Sequence, residues 1–167
     1  CTYRWKIILM RVTISRETSL EVVRLVEAKS DAKRRQSNSP TIALEAQAAM
    51  AQYDAIIATF GYDFSIFAFD DLHDVSCKLV ANSGVGINHI DIAATRRAGI
   101  RVTNTPGAVT EATADIALTL MLMTCRRAGE GERMVRAGNW RGWGPTQLLG
   151  MHMSGKTIGI IGMGRIG

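Results

Sequence analysis

The feature that most constrains this chain is a set of regularly spaced glycines that directly follows an apolar run. Gly162, Gly164 and Gly167 have the spacing Gly-x-Gly-x-x-Gly, and residues Lys156–Ile161 in front of them have the composition of a β-strand. A strand that leads into glycines at this spacing predicts a tight turn whose backbone can approach the diphosphate of a dinucleotide. The alternative is a glycine-rich turn that binds no ligand.

Each glycine of this turn has its own predicted role. Gly162 allows the tight turn, Gly164 lets the backbone come close to the diphosphate, and Gly167 lets a helix pack closely on the strand. The diphosphate would lie on backbone N–H groups at the positive end of the helix that follows. The residue that separates NAD from NADP is expected about 20 residues beyond the first glycines. The sequence therefore predicts NAD or NADP as the cofactor and leaves the choice between them open.

The chain in front of this turn alternates strand-like and helix-like segments. The predicted strands are Lys6–Met10, Ala55–Phe60, Cys77–Ala81 and Ile100–Thr103, with at most a weak edge strand within Ala32–Asn38. Apolar residues at helical spacing predict helices over Leu20–Val26, Ile42–Tyr53 and Asp91–Ala98, the last with Gly99 as its C-cap glycine. Continuous apolar strands that alternate with helices favour an α/β fold with a parallel sheet covered on both faces.

A second candidate site follows the predicted strand Cys77–Ala81. The segment Asn82–Asn88 contains Ser83, Gly84 and Gly86 and precedes a short helix. Ligands of open parallel sheets bind beyond the carboxyl ends of the strands, and small residues there leave N–H groups free to hold a carboxylate. A tight strand-to-helix turn without a ligand is the alternative.

The segment Asn104–Gly107 indicates a domain boundary nearby, because it has the composition of a turn. Thr110 is the predicted N-cap of the next helix, and Glu111 and Asp115 place negative charge in its first turns. The helix is apolar almost all round from Ile116 to Met123, so we expect it to be buried between two domains. Alone, such a helix would promote aggregation or dimerisation.

Composition excludes several classes of protein. The net charge of +5 is scattered, and the one basic cluster, Lys33–Arg35, is interpreted as a solvated edge, so we expect no nucleic-acid partner. Cys77 and Cys125 are interpreted as small buried residues, and the absence of a Cys-x-x-Cys pair predicts a reducing, cytoplasmic location and no metal site. The apolar stretch Ile116–Cys125 is too short to span a bilayer, so no membrane partner is expected.

Taken together, four motifs resemble those of the D-isomer-specific 2-hydroxyacid dehydrogenase family. In chain order they are Ser83–Asp91, Gly99–Pro106, Thr110–Asp115 and Gly155–Gly167, and the likeness is correctly spaced from about Lys78 onwards. Within the family, the chain resembles glyoxylate and hydroxypyruvate reductases. The segment Trp140–Pro145 adds to this resemblance. Before Lys78 the similarity is only one of alternating strands and helices.

The resemblance implies a flavodoxin-like substrate domain over residues 1–103 and the start of a Rossmann NAD(P)-binding domain over residues 104–167. It implies that the backbone of Val85 and Gly86 binds the carboxylate of a small 2-oxo or 2-hydroxy acid. Cofactor contacts are implied for seven residues: Val85, Thr110, Gly162, Gly164, Arg165, Ile166 and Gly167. Val85 and Thr110 would lie near the nicotinamide, and Arg165 and Ile166 would contact the diphosphate through their N–H groups.

The catalytic residues of the family are an Arg, a Glu and a His that follow the glycine-rich turn. We therefore expect this chain to be the front portion of an oxidoreductase, with no catalytic residue of its own and no turnover when alone. None of its histidines, His73, His89 and His152, matches the catalytic one. The resemblance also implies a homodimer, and it leaves one alternative function, a dinucleotide-sensing corepressor that binds protein partners without turnover.

Overall fold

The computed structural model describes residues 10–15, 18–35, 40–59 and 61–167. The chain divides into two compact units, residues 1–106 and residues 107–167. The helices and strands of the first unit are β1 (Arg11–Ile14), α1 (Leu20–Glu27), β2 (Asp31–Arg34), α2 (Ala43–Gln52), β3 (Ala55–Ala58), a 3-10 turn (Ile66–Phe69), β4 (Leu79–Asn82), α3 (Ile92–Arg97) and β5 (Arg101–Thr103). Those of the second unit are α4 (Thr110–Cys125) and α5 (Ala128–Arg136).

The strands of the first unit form one five-stranded sheet in the order β2-β1-β3-β4-β5. Every neighbouring pair is parallel. This is the strand order of flavodoxin-like folds, in which ligands bind beyond the carboxyl ends of the strands near the point where the order reverses. The α/β fold and the flavodoxin-like parallel sheet predicted from the sequence are therefore confirmed, and β2 is the predicted edge strand.

The core of the first unit explains why these segments form strands and helices. Ile14, Ile56 and Val80 on three neighbouring strands are fully or almost fully buried, as expected of a sheet covered by other elements. Small residues of α2 allow this helix to approach the sheet, and its Met50 is fully buried. Cys77 is also buried, and burial raises the pKa of its thiol. The prediction of a buried Cys77 is confirmed, whereas Cys125 is only half-buried.

The first strand differs from the sequence prediction. β1 is Arg11–Ile14, Met10 lies outside it, and the rest of the predicted strand, residues 6–9, lies outside the described residues. The Arg11 guanidinium donates to the Asp54 carboxylate at 2.8 Å, and the Arg11 N–H donates to the same carboxylate at 2.7 Å. Periodicity alone missed this strand because an ion pair at its start and a buried Thr13 interrupt the apolar pattern.

In the second unit, two predictions about α4 are wrong. The N-cap is Val109, because its carbonyl accepts from Thr113 N–H, and Thr110 is the first helical residue with no side-chain cap bond. No residue of α4 is buried, since nothing in its unit covers side chains such as Ile116 and Leu120. Within the described part of the chain, no helix has both the length and the apolarity that a membrane crossing requires.

The predicted strand Lys156–Ile161 is also absent from the structure. These residues have no regular secondary structure, and Ile158, Ile160 and Ile161 are all exposed. A strand exists only when its backbone groups pair with a neighbour, and no strand is present among the described residues of this unit. The segment has the composition of a strand, but no described residue of its unit pairs with it as a neighbouring strand.

The ion pair at the start of β1 yields a prediction about stability. Hydrogen bonds from Arg11 hold the pKa of Asp54 below its usual value, so the stabilisation is present above about pH 4 and is lost as the pH falls through the lowered pKa. We expect Asp54→Asn to lower Tm by roughly 1–4 °C at pH 7. The difference should shrink below about pH 4 in thermal unfolding followed by circular dichroism. Asp70→Asn, at an exposed carboxylate, is the control and should change Tm little at either pH.

Candidate functional site

The loop that follows β4 lies at the carboxyl edge of the sheet. We call residues 83–87 the β4 loop. Its first residue is tied to the neighbouring strand, because Ser83 N–H donates to Ala58 O at 2.7 Å. At the carboxyl ends of β1 and β3, the hydroxyls of Ser15 and Thr59 are hydrogen-bonded at 3.0 Å. The β4 loop is thus one strand away from the point where the strand order reverses, the usual ligand position in this fold.

The side chain of Asn82, the last residue of β4, determines how the loop begins. Asn82 is only 3% exposed, and its Nδ2 donates to Gly84 O at 3.0 Å and to Gly86 O at 2.9 Å. Its Oδ1 lies 3.2 Å from His89 Nε2. A buried amide that lacks partners is costly, and here both ends of the amide are satisfied. The two carbonyls of the loop are therefore drawn towards the interior.

A second asparagine holds the loop from the segment that follows β5. Asn104 Nδ2 donates to Val85 O at 2.9 Å, across 19 residues of sequence. The next residue adds a backbone bond, from Thr105 N–H to Gly84 O at 3.1 Å. Three successive carbonyls of the loop, those of Gly84, Val85 and Gly86, therefore all accept hydrogen bonds from groups of the first unit.

The N–H groups of the same peptides face away from these donors. The described residues contain no cis peptide bond, and in a trans peptide the N–H is antiparallel to the preceding C=O. The N–H groups of Val85, Gly86 and Ile87 have no protein acceptor within the described residues. A Cβ built on Gly86 would meet no atom within 4 Å, so its side has open space. The loop thus presents unused donors next to free space, an arrangement that suits an anion.

The three histidines of the chain have different surroundings. The Oδ1 of Asn82 can only accept, so the Nε2 of His89 carries the proton between them. Partial burial lowers the pKa of His89, which favours its neutral form. His73 and His152 are exposed, both in segments without regular secondary structure. We assign no catalytic role to any of the three histidines.

The glycine-rich turn belongs to the second unit. Gly162 has φ +90°, a conformation that glycine adopts readily and other residues rarely do. A Cβ on Gly167 would lie 2.8 Å from Gly162 O, so only glycine fits there, whereas a Cβ on Gly164 would meet nothing within 4 Å. The turn therefore has a bend that requires glycine, a close backbone approach and an open position, which is compatible with the diphosphate of a dinucleotide.

The other predicted cofactor residues also lie in the second unit, apart from Val85. Arg165 and Ile166 are exposed within the glycine-rich turn, and Thr110 is half-buried in the first turn of α4. Val85 is 37% exposed in the β4 loop of the first unit.

Sequence reasoning identified the β4 loop but missed the two side chains that hold it. Asn82 was included in the loop segment only as a neighbour of the glycines, and Asn104 was interpreted as a turn residue. The available signal is that each asparagine comes at or directly after the end of a strand, where side chains reach the carboxyl edge of the sheet.

The open space at Gly86 yields a prediction. Because its φ is not in the left-handed region and its Cβ position is empty, Gly86→Ala should change the free energy of unfolding by less than about 0.5 kcal/mol. Gly99→Ala is the matched comparison in the same unit: φ is +71° there, so a side chain should cost about 1 kcal/mol. Urea unfolding of both variants measures the difference. Equal losses would show that Gly86 serves the fold and not the approach of a ligand.

Comparisons with known proteins agree with this architecture. The chain is 48% identical over 90 residues to a glycerate dehydrogenase of Hyphomicrobium methylovorum, a match that covers 54% of this chain and 28% of that protein. It is 50% identical over 94 residues to a glyoxylate reductase of Pyrococcus horikoshii, with the same two coverages. A solved NADPH-dependent glyoxylate/hydroxypyruvate reductase from Sinorhizobium meliloti, in complex with NADP and malonate, superposes with a TM-score of 0.73 at 28% identity.

The lengths of these proteins differ from that of this chain. The superposition covers 94% of this chain and 47% of the Sinorhizobium structure, so the chain spans about half of that protein. The family profile described as D-isomer specific 2-hydroxyacid dehydrogenase, catalytic domain, matches residues 12–159. Since this match includes most of the chain, and the sheet has the flavodoxin-like order, the chain belongs to the D-isomer specific 2-hydroxyacid dehydrogenase family.

Proposed function

We propose that the protein transfers a hydride between NADH or NADPH and a small 2-oxo or 2-hydroxy acid such as glyoxylate or hydroxypyruvate. The observation that carries the proposal is the β4 loop, where the N–H groups of Val85 and Gly86 lie beside open space and have no acceptor in the part of the chain that the structure describes. The names of the similar proteins, glyoxylate reductase and glycerate dehydrogenase, support the same substrate class. When bound, the nicotinamide supplies or accepts the hydride at the carbon that carries the oxygen.

In this proposal the β4 loop holds the carboxylate of the substrate. Backbone N–H groups fixed in advance bind and orient an anion without having to reorganise. Val85 and Gly86 would each donate to the carboxylate, and the missing side chain of Gly86 leaves room for it. The loop thus selects acids over uncharged carbonyl compounds and fixes which carbon is presented for hydride transfer.

The glycine-rich turn would hold the diphosphate of NAD or NADP. Gly162 provides the bend, Gly164 the open approach and Gly167 the close backbone packing. The N–H groups of Arg165 and Ile166 would donate to the diphosphate. By family resemblance we place Val85 and Thr110 near the nicotinamide, with residues 1–103 as the substrate domain and residues 104–167 in the cofactor domain.

Two further proposals concern the oligomeric state and the cellular location of the protein. We infer a homodimer and a cytoplasmic location from the family resemblance. The exposed apolar side chains of α4, such as Leu118 and Leu122, offer a surface that a second copy could cover. No observation favours the corepressor alternative, because the similar proteins reported above carry the names of enzymes.

Reciprocal variants test the proposal in the protein expressed from the complete gene. Gly164→Ala should weaken NADH or NADPH binding about tenfold, since a methyl group would keep the diphosphate away from the backbone. Gly86→Ala should raise KM for glyoxylate by a similar factor and leave the dinucleotide Kd unchanged. Nicotinamide absorbance gives the rates, and fluorescence titration gives Kd. Each variant is the control for the other, and identical effects of the two would contradict the assigned roles.

We also expect residues 1–167 alone to turn over no substrate. No histidine of the chain is assigned as proton donor, and His89 is engaged with Asn82. A chain without a general acid should give no nicotinamide oxidation above background with glyoxylate or hydroxypyruvate. The protein from the complete gene is the positive control, and enzyme-like rates from residues 1–167 would refute the expectation.

A further inference from the structure

We infer that Asn82 and Asn104 are positioning residues that fix the β4 loop in the conformation that binds the substrate carboxylate. The inference rests on the proposed function, because it concerns the same loop. It adds two side chains to the site, neither of which needs to touch the substrate.

The first step of the argument is geometric. Asn82 Nδ2 binds Gly84 O and Gly86 O, and Asn104 Nδ2 binds Val85 O. Each of these carbonyls shares a peptide plane with the N–H of the next residue, and the planes are trans. When an asparagine fixes a carbonyl, it therefore also fixes the direction of the N–H on the opposite side. The N–H groups of Val85 and Gly86 are set by Asn82 and Asn104 respectively.

The second step is that no other feature of the loop would fix these planes. The glycines on either side of Val85 have wide conformational freedom, so an unrestrained loop would lose entropy on binding a ligand. Gly84 O also accepts from Thr105 N–H, but within the described residues the carbonyls of Val85 and Gly86 accept only from the two asparagine side chains. Removal of the Asn104 amide therefore frees the peptide between Val85 and Gly86, which the proposed site needs in one orientation. Removal of the Asn82 amide frees the peptide between Gly86 and Ile87 and leaves the carbonyl of Gly84 to Thr105 N–H alone.

The third step concerns what holds the amides themselves. Asn82 is buried, and His89 Nε2 at 3.2 Å from its Oδ1 keeps the NH2 end towards the loop. Asn104 is exposed, so its side chain contributes little to the core. The two residues thus differ in a way that a test can use: Asn104 can be replaced with little risk to the fold.

The test uses the protein expressed from the complete gene. Asn104→Ala should raise KM for glyoxylate or hydroxypyruvate about tenfold with kcat within about twofold, because the loop binds ground state and transition state alike. The dinucleotide Kd should not change. Asn139→Ala is the matched control, at an exposed asparagine of the second unit outside both candidate sites, and should keep the wild-type KM. A purely structural role would lower Tm or the active fraction and leave KM unchanged, which would overturn the inference.

Asn82→Asp extends the test to the buried residue. The carboxylate keeps an acceptor for His89 but cannot donate to the two carbonyls, so we expect a larger rise in KM than for Asn104→Ala. Should this variant fail to fold, Asn104→Ala still decides the inference.

A direct binding measurement separates this inference from the proposed function. In protein labelled with ¹⁵N-valine, with the Val85 resonance assigned through Val85→Ile, titration with oxamate should shift the Val85 N–H of the wild type. Asn104→Ala should require about tenfold more oxamate for the same shift. If the enzyme turned over no 2-oxo acid and the Val85 shift still depended on Asn104, only the proposed function would fail. No shift in the wild type, or equal shifts in both proteins, would overturn the inference.

Discussion

At the end of β4 a side-chain amide is buried, and a buried amide has to find hydrogen-bond partners. Asn82 meets this requirement with two carbonyls of the loop that follows and with the ring of His89. These bonds fix the orientation of the loop peptides. Because the loop carbonyls point towards Asn82, the N–H groups of the same peptides point away from it. The hydrogen bonds that satisfy the buried Asn82 amide therefore also orient the N–H groups of the candidate carboxylate site.

The sheet places this arrangement where a ligand can reach it. In the order β2-β1-β3-β4-β5, all strands run the same way, so the segments after β4 and β5 emerge at one edge. Asn104 follows β5 and can therefore reach Val85, although the two are 19 residues apart in sequence. A flavodoxin-like sheet does not specify a reaction, but it brings together the segments from which a site is built.

Much of the first unit could be predicted because its signals are local. The apolar runs at Ala55–Ala58 and Leu79–Asn82 and the helical spacing in α1 and α2 gave elements within a few residues of those observed. β1 could not be placed in this way, since its charged first residue is held by Asp54, 43 residues away. The same limit applied to the site: the β4 loop was visible from its small residues, whereas the asparagines that hold it were not.

By itself the sequence determined the alternation of strands and helices, the positions of the glycines and the family. The alternation of strands and helices follows from the periodicity of apolar residues, and the family follows from the spacing of motifs along the chain. The glycines are visible directly, because they are the residues without side chains. The tertiary structure decided which groups meet. The Val85 carbonyl accepts from Asn104, and Lys156–Ile161 has no neighbouring strand among the described residues despite its strand-like composition. The physical reason is that a hydrogen bond needs a partner in space, and the identity of a residue specifies what it can bind but not what lies beside it.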